Sequence, residues 1–264
     1  MPDDILTELY GIAGKVALVT GGTRGIGRMI AAGYVRAGAK VYVSSRHAED
    51  CERTARELTD QSDRGECLGL PADLGRPEEP ERLAAEIGAR EDGLHILCNN
   101  AGTNWGAPLP EYPADAWDKV LGLNLKAVFL LTRALVPLLI RGAREGDPAR
   151  VINTGSIDGI RVPPMETFAY SASKAGLHQL TRHLARTLAA QNITVNAIAP
   201  GPFRSKMMAA ALQRFESQIV AACPLGRIGV PDDIAGVTIY LAARAGSYVT
   251  GAVIPVDGGI ATTK

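Results

Sequence analysis

The chain reads Val16-Ala17-Leu18-Val19-Thr20-Gly21-Gly22-Thr23-Arg24-Gly25-Ile26-Gly27 near its amino terminus. Four apolar residues suit a buried strand, and the following glycines allow a tight turn into a helix. The free N–H groups at the start of such a helix suit a dinucleotide diphosphate, which the glycines allow to approach the backbone closely. The spacing is Gly-x-x-x-Gly-x-Gly rather than the commoner Gly-x-Gly-x-x-Gly. A purely structural turn is the alternative, but the position at the first strand–helix junction favours nucleotide binding.

Short apolar runs and amphipathic segments alternate along the rest of the chain. Strands are predicted at residues 16–19, 41–43, 67–70, 94–97, 150–153, 193–196 and 253–256. Helices are predicted at residues 24–37, 48–59, 77–90, 113–139, 169–190, 206–222 and 231–243, with Pro77 and Pro231 in first turns. This alternation predicts an α/β fold: one Rossmann-type domain over residues 1–264, with a doubly wound parallel sheet of about seven strands flanked by helices.

Composition narrows the class of protein. The 28 Lys and Arg residues balance 28 Asp and Glu residues, so net charge gives no reason to expect nucleic acid as a partner. The amino terminus does not resemble a secretory signal, and residues 121–140, the most apolar stretch, are interrupted by polar residues and a proline. We therefore expect a soluble, cytoplasmic protein with no membrane partner. The four cysteines and four histidines are scattered, so we expect reduced thiols and no metal site.

The end of the second predicted strand bears on the choice of cofactor. Sheets that bind NAD carry a carboxylate there for the ribose 2′-hydroxyl, but this chain has Ser44-Ser45-Arg46. Arg46 and Arg24 could together hold a 2′-phosphate by charge-assisted hydrogen bonds. The sequence therefore predicts a preference for NADP(H), with NAD(H) possible. A solvated loop arginine is the alternative interpretation of Arg46.

A tyrosine and a lysine, Tyr170 and Lys174, lie four residues apart in a predicted helix, and therefore on the same face. An ammonium group beside a phenol lowers the phenol pKa from its usual value of about 10, which would allow proton exchange with a carbonyl or alcohol. Ser156 precedes the pair and follows the strand Val151-Ile152-Asn153. On its own the pair is also compatible with an ordinary solvated helix face.

Together these motifs resemble the short-chain dehydrogenase/reductase family over nearly the whole chain, from about Gly14 to Gly259. The motifs that occur in the family's order are the glycine turn, Asp73-Leu74, Asn99-Asn100-Ala101-Gly102, Asn124, Ser156, Tyr170 with Lys174, and Pro200-Gly201. The resemblance implies that Tyr170 is the general acid in reduction and that Lys174 lowers its pKa and holds the nicotinamide ribose. It also implies that Ser156 bonds the substrate oxygen and that Asn124 anchors a proton-relaying water. An ordinary buried asparagine is the alternative for Asn124.

The resemblance also implies a set of cofactor contacts. They are Gly21, Thr23, Arg24, Gly25, Ile26, Gly27, Ser45, Arg46, Asp73, Leu74, Asn100, Ala101, Gly102, Tyr170, Lys174, Pro200, Gly201, Phe203 and Ser205. Two positions depart from the family pattern. Ser205 stands in for the usual threonine after Pro-Gly, and the Ser156–Tyr170 separation is one residue longer than usual, so we expect residues 160–168 to bulge.

Within the family, the segments 100–107, 149–156 and 177–180 resemble the 3-oxoacyl-[acyl-carrier-protein] reductase branch and the reductase type associated with rhamnolipid biosynthesis. Substrate contacts are expected at 104–105, 157–158, 162–168 and a lid around 203–223, in which Met207 and Met208 would be adaptable. The family resemblance and the apolar helix faces favour a homotetramer, with a homodimer as the alternative.

These observations predict an NADPH-dependent carbonyl reductase acting on a ketone, possibly a 3-oxoacyl thioester bound to a carrier or CoA. An NAD(P)-dependent alcohol, polyol or steroid dehydrogenase working oxidatively is the alternative enzyme, because the chemistry is reversible. A catalytically silent nucleotide sensor or scaffold is the alternative of another class. The full set of Asn124, Ser156, Tyr170 and Lys174 argues against it, since a sensor has no need of all four.

Overall fold

Strand β1 (Val16–Thr20) is the third strand across a seven-stranded sheet, and every strand pairing in that sheet is parallel. The computed structural model describes residues 4–206 and 208–263. The other strands are β2 (Lys40–Ser44), β3 (Glu66–Gly69), β4 (Ile96–Asn99), β5 (Ala149–Thr154), β6 (Ile193–Pro200) and β7 (Val253–Val256). Their order across the sheet is β3-β2-β1-β4-β5-β6-β7, which confirms the predicted fold class and places β7 at an edge.

Nine α-helices lie among the described residues and cover both faces of the sheet. They are α1 (Ile5–Tyr10), α2 (Gly25–Arg36), α3 (Ala48–Asp60), α4 (Glu79–Gly88), α5 (Ala114–Leu121), α6 (Ala127–Gly142), α7 (Phe168–Leu188), α8 (Ala209–Ala222) and α9 (Pro231–Ala242). Ala17 and Val19 of β1 pack with α2 and α9, whereas Leu18 packs on the other face with α4 and α6. Because both faces are buried, every residue of β1 is apolar except the last.

Several predicted boundaries were wrong. Strand β4 begins at Ile96 rather than at residue 94, because the Leu94 N–H donates to the Leu138 carbonyl at 2.9 Å instead of joining the sheet. Leu94 is nevertheless buried, which is why its hydrophobicity resembled that of a strand. Pro80, not Pro77, lies in the first turn of α4. Helix α8 begins at residue 209 rather than 206, Met207 lies outside the described residues, and the short helix α1 was not predicted.

The single helix predicted at 113–139 is a continuous helical segment, Ala114–Gly142, with a π-helical turn at Gly122–Lys126 between α5 and α6. Its length and apolar composition alone would allow it to cross a membrane. However, Leu131, Leu135 and Leu139 pack into the core against the sheet. The segment therefore lies where the core helix of a globular α/β domain belongs.

Candidate active site

The predicted site residues meet at the edge of the sheet where the parallel strands end. Residues that follow β1, β4, β5 and β6 must lie at this edge, because the carboxyl ends of parallel strands point the same way. These residues are the glycine turn, Asn100-Ala101-Gly102, Ser156 and Gly201. Ser45 follows β2 at the same edge.

Two hydrogen bonds from Asn100 hold the glycine turn in place. The Asn100 Nδ2 donates to the Thr20 carbonyl at 2.9 Å and to the Gly21 carbonyl at 3.2 Å. Gly21 has φ of 63° and Gly25 has φ of 54°, a conformation in which side chains are strained. A Cβ atom on Gly27 would lie 2.3 Å from the Gly21 carbonyl oxygen, so a larger residue cannot fit there. The close approach of helix and turn therefore requires glycine.

The turn leaves the start of α2 available to an anion. Arg24 is the N-cap residue and makes no side-chain cap bond to the helix, so the N–H groups of the first turn lack that partner. A Cβ atom on Gly25 would face only Ser205 Cβ, at 3.2 Å, among the described atoms. Free N–H groups and a dipole end beside a glycine backbone fit the diphosphate of a dinucleotide. The backbone N–H groups at the start of α2 would bind the diphosphate without help from a side chain.

The residues predicted to select the cofactor lie at the surface beside this turn. The side chains of Arg24 and Arg46 are exposed, and neither forms an ion pair within residues 4–206 and 208–263. Ser45 Oγ donates to the His47 carbonyl at 3.3 Å. Asp73 accepts from the Gly75 N–H at 3.2 Å, which fixes the loop after β3. Two uncommitted guanidinium groups and the absence of a carboxylate at the end of β2 fit a 2′-phosphate better than a 2′-hydroxyl.

The structure brings Ser156, Tyr170 and Lys174 together. Ser156 follows β5, and its hydroxyl is near enough to the Tyr170 hydroxyl to lower the pKa of that tyrosine. Lys174 is buried one turn further along α7, where its Nζ lies 5.5 Å from the centre of the Tyr170 ring and donates to the Thr154 carbonyl at 2.7 Å. The hydroxyl groups of Ser156 and Tyr170 are therefore close together, and the Lys174 ammonium lies beside the Tyr170 ring.

The acid–base properties of the site differ from the expectation for Tyr170. Its pKa is raised to about 12, mainly by burial and further by the charge of Asp158, while the hydrogen bond from Ser156 lowers it. Lys174 Nζ lies 5.5 Å from the centre of the Tyr170 ring, and its hydrogen bond goes to the Thr154 carbonyl rather than to the phenol. Burial lowers the pKa of Lys174 to about 8, against the raising effect of Asp158. In the chain by itself Tyr170 is a protonated acid rather than a phenolate.

Asn124 lies in the π-helical turn and is fully used in hydrogen bonds. Its Nδ2 donates to the Thr103 carbonyl at 2.9 Å and to Ser173 Oγ at 3.0 Å, and its Oδ1 accepts from the Thr103 N–H at 2.8 Å. The extra residue of a π turn changes the direction of a side chain relative to the helix. Asn124 thus joins α7 to the loop after β4. The predicted water relay stays a prediction.

Sequence reasoning did not identify the support beneath Ser156. The ring of His178 lies between Gly155 and Gly159, since a Cβ on Gly155 would be 2.2 Å from His178 Nε2 and one on Gly159 would be 2.9 Å from Cε1. His178 is 4% exposed, so its ring is packed inside the protein next to the Ser156 turn. The glycines at positions 155 and 159, on either side of Ser156, were the only sequence feature that could have indicated a bulky side chain packed against this turn.

A cavity of about 300 Å³ lies beside the amino end of α7. It is lined by Leu109, Tyr112, Pro113, Ala114, Trp117 and Phe168. Phe168 is two residues before Tyr170, and its ring meets that of Tyr112 edge-on at 5.6 Å. An apolar cavity thus lies at the amino end of the helix that carries Tyr170. Phe168 belongs to the predicted substrate segment 162–168, whereas the lining residues between 109 and 117 were not predicted.

Comparisons with known proteins agree with this geometry. A family model described as enoyl-(acyl carrier protein) reductase matches residues 21–261. A rhamnolipids biosynthesis 3-oxoacyl-[acyl-carrier-protein] reductase of Pseudomonas aeruginosa is 48% identical over 253 residues, which cover 95% of this chain and 97% of the relative. The chain belongs to the short-chain dehydrogenase/reductase family. The family, fold-class and enzyme predictions are therefore confirmed.

Two solved structures extend the likeness of this short-chain dehydrogenase/reductase. The active-site complex of P. aeruginosa RhlG with NADP superposes with a TM-score of 0.91 at 46% identity, covering 96% of this chain and 99% of that one. A gluconate 5-dehydrogenase of Burkholderia cenocepacia in complex with NADP and tartrate has a TM-score of 0.89 at 28% identity, covering 97% and 99%. The chain is thus similar both to a 3-oxoacyl reductase and to a sugar-acid dehydrogenase.

Proposed function

We propose that this enzyme is an NADPH-dependent carbonyl reductase whose substrate is a ketone, with a 3-oxoacyl thioester as the favoured class. The observation that carries the proposal is the convergence of Ser156, Tyr170 and Lys174 at the sheet edge that also holds the glycine turn. The reductase similar over 95% of the chain and the NADP complex similar over 96% support the substrate class and the cofactor. The apolar cavity beside Phe168 is compatible with an acyl chain.

The reduction uses both hydroxyl groups. A carbonyl oxygen placed between Ser156 and Tyr170 accepts a hydrogen bond from each, and both bonds strengthen as negative charge develops on it. When bound, the reduced nicotinamide supplies the hydride that the carbonyl carbon accepts. The alkoxide oxygen then takes the proton of Tyr170, whose high pKa keeps that proton in place at neutral pH. The Lys174 ammonium, 5.5 Å from the ring centre, stabilises the resulting phenolate.

The residues that would hold the cofactor follow the strands at this edge. The glycine turn and the start of α2 would hold the diphosphate, Asp73 and Leu74 would flank the adenine, and Lys174 would hold the nicotinamide ribose. Phe203 and Ser205 follow Pro200-Gly201, and Ser205 lies against Gly25. The segment 203–223, which includes α8 with its non-helical residue Phe215, acts as the substrate lid.

The substrate class is tested with a panel of 3-oxoacyl thioesters and simple ketones, followed by NADPH absorbance with NADH in parallel. We expect turnover of thioesters with NADPH. Fast reduction of other ketones without turnover of thioesters would remove the thioester assignment and leave the carbonyl reductase intact.

Cofactor preference is tested by the double substitution Ser45→Asp, Arg46→Ala. A carboxylate at the end of β2 bonds a ribose 2′-hydroxyl and repels a 2′-phosphate, so we expect the preference to move toward NADH. Ser45→Ala alone is the control, because it removes the hydroxyl without adding charge. Unaltered NADPH affinity in the double variant would contradict the assignment.

Oxidation of an alcohol or polyol is the second candidate, favoured by the similarity to a gluconate 5-dehydrogenase. Polyols and sugar acids assayed with NADP⁺ test it. A silent nucleotide sensor is tested with Tyr170→Phe, which removes turnover and keeps NADPH binding if the chain is an enzyme.

We also propose a cytoplasmic homotetramer, with a homodimer as the alternative. Trp117 and Phe129 of the helical segment 114–142 are exposed apolar residues of the kind that subunit contacts bury. Light scattering on a sizing column gives the subunit number, and cell fractionation gives the location.

A further inference from the structure

Asp158 lies in the short 3₁₀ turn Ile157–Gly159 that directly follows Ser156. Its backbone N–H donates to Ser156 Oγ at 3.1 Å, so the residue is tied to the catalytic serine. The turn also packs against α7, because a Cβ on Gly159 would lie 2.7 Å from the Lys174 carbonyl carbon. Asp158 is therefore held between the two elements that carry the catalytic groups.

The carboxylate of Asp158 has no fixed partner. Within residues 4–206 and 208–263 it makes no hydrogen bond and no ion pair, although the residue is partly buried. Burial raises its pKa, and the charges of Arg161 and Lys174 oppose that effect. Arg161 is exposed to solvent, which weakens its influence. A partly buried acidic group without a partner next to Ser156 differs from the acids of the surface helices, most of which are paired with arginine.

The field of this carboxylate reaches the reacting groups. Asp158 raises the pKa of both Tyr170 and Lys174, the direction expected from a nearby negative charge. Lys174 is only 4% exposed and lies behind Tyr170, whereas Asp158 is more accessible. A substrate bound at Ser156 would therefore lie next to Asp158, the more accessible of the two charged residues.

We propose that Asp158 is a specificity-determining residue that excludes substrates with an anionic group next to the reacting carbonyl and thereby favours neutral ketones. This inference rests on the proposed reductase function and names the charge state of its substrate. Like charges a few ångströms apart in a partly desolvated site repel strongly, and among the described residues Asp158 forms no ion pair that would neutralise its carboxylate. A 3-oxoacyl thioester is neutral beside its keto group, whereas a free 3-oxo acid is not.

The test uses a matched pair of substrates, acetoacetate and its ethyl ester, at pH 7 with NADPH. We expect the wild-type enzyme to prefer the ester by about a hundredfold in kcat/KM. Asp158→Asn keeps the side-chain size and removes the charge, so we expect the preference to fall about tenfold through faster reduction of acetoacetate. Asp63→Asn is the matched control, since Asp63 is exposed before β3, at the opposite edge of the sheet.

The outcomes separate this inference from the proposed function. Wild-type enzyme that reduces neither compound nor any thioester would contradict the reductase. An unchanged ester preference in Asp158→Asn, with wild-type turnover intact, would overturn the role of Asp158 alone. Loss of ester turnover without a change in preference would also overturn it, because the residue would then organise the Ser156 turn. NADPH binding and thermal melting verify folding, and Asp158→Ala replaces the asparagine variant if that variant does not fold.

Discussion

Strand β5 has a buried cation near each of its ends, and only one of the two forms an ion pair among the described residues. At the amino end, Arg150 is 1% exposed and pairs with Asp147 at 2.9 Å, while its other N–H groups donate to the carbonyls of Leu241 and Ala243. Beyond the carboxyl end, Lys174 is 4% exposed and its ammonium donates to the Thr154 carbonyl, with no ion pair among the described residues.

The difference agrees with a structural role for Arg150 and with the proposed catalytic role of Lys174. Asp147 also pairs with Lys15 at 2.7 Å, so the amino end is a closed network in which each charge has a partner. At the other end Lys174, Asp158 and Tyr170 are close together but not neutralised by fixed bonds, and their pKa values are shifted. A buried charge without an ion pair costs stability, and a cluster of such groups at one edge of the sheet supports the proposed active site there.

The largest effect is expected from Lys174→Met. Loss of the ammonium removes the stabilisation of the Tyr170 phenolate, so we expect kcat to fall about a thousandfold. The free energy of unfolding at pH 7 should rise by about 1–3 kcal/mol, because the lowered pKa shows that the folded chain disfavours the charge. Steady-state rates and urea unfolding measure the two effects. Lower stability with normal kcat would make Lys174 a structural cation like Arg150.

The complementary change, Arg150→Met, should lower the stability of the fold and leave kcat nearly unchanged. It removes the ion pair with Asp147 and leaves the Leu241 and Ala243 carbonyls without a donor, so we expect a loss of about 3 kcal/mol in unfolding free energy. The rate constant kcat of the folded enzyme should stay within about twofold, since Arg150 contacts no catalytic group. The double variant with Asp147→Asn tests the pairing: if the two losses add fully, the ion pair contributes no stability of its own.

The two ends also differ in how far sequence could predict them. Glycines at defined spacing and the Tyr170–Lys174 pair are local patterns, so the positions of the glycine turn and of the Tyr170–Lys174 helix in the fold could be predicted from sequence. The Arg150 network joins residues from Lys15 to Ala243, and no local pattern indicates such contacts. The pKa of Tyr170 was mispredicted for the same reason. Its value depends on burial and on where Lys174 Nζ points, which are properties of the folded chain.

The dependence of the reaction on pH provides a smaller test of the comparison. Lys174 has its pKa lowered to about 8, so the rate of reduction should fall as pH rises through 8, approaching tenfold per unit. Tyr170, at about 12, does not titrate in this range. Between pH 8 and 10.5 the unfolded chain binds more protons at this lysine than the folded chain, so its destabilising effect decreases as pH rises. A flat rate profile between pH 7 and 9 would contradict the assignment.

The smallest effect is expected from the threonines at the two ends, Thr154 and Thr194, which are equally buried and whose hydroxyls have no hydrogen-bond partner among the described residues. Each can be replaced by valine at nearly the same volume. Because no bond is lost, both variants should change the unfolding free energy by less than about 1 kcal/mol. Lys174 is held by the Thr154 backbone carbonyl, which Thr154→Val retains, so kcat should also be preserved. A drop in kcat for Thr154→Val but not for Thr194→Val would mean that the Thr154 hydroxyl contacts the bound reactants. Thr154 would then be a further polar residue of the proposed active site, although its hydroxyl has no hydrogen-bond partner among the described residues.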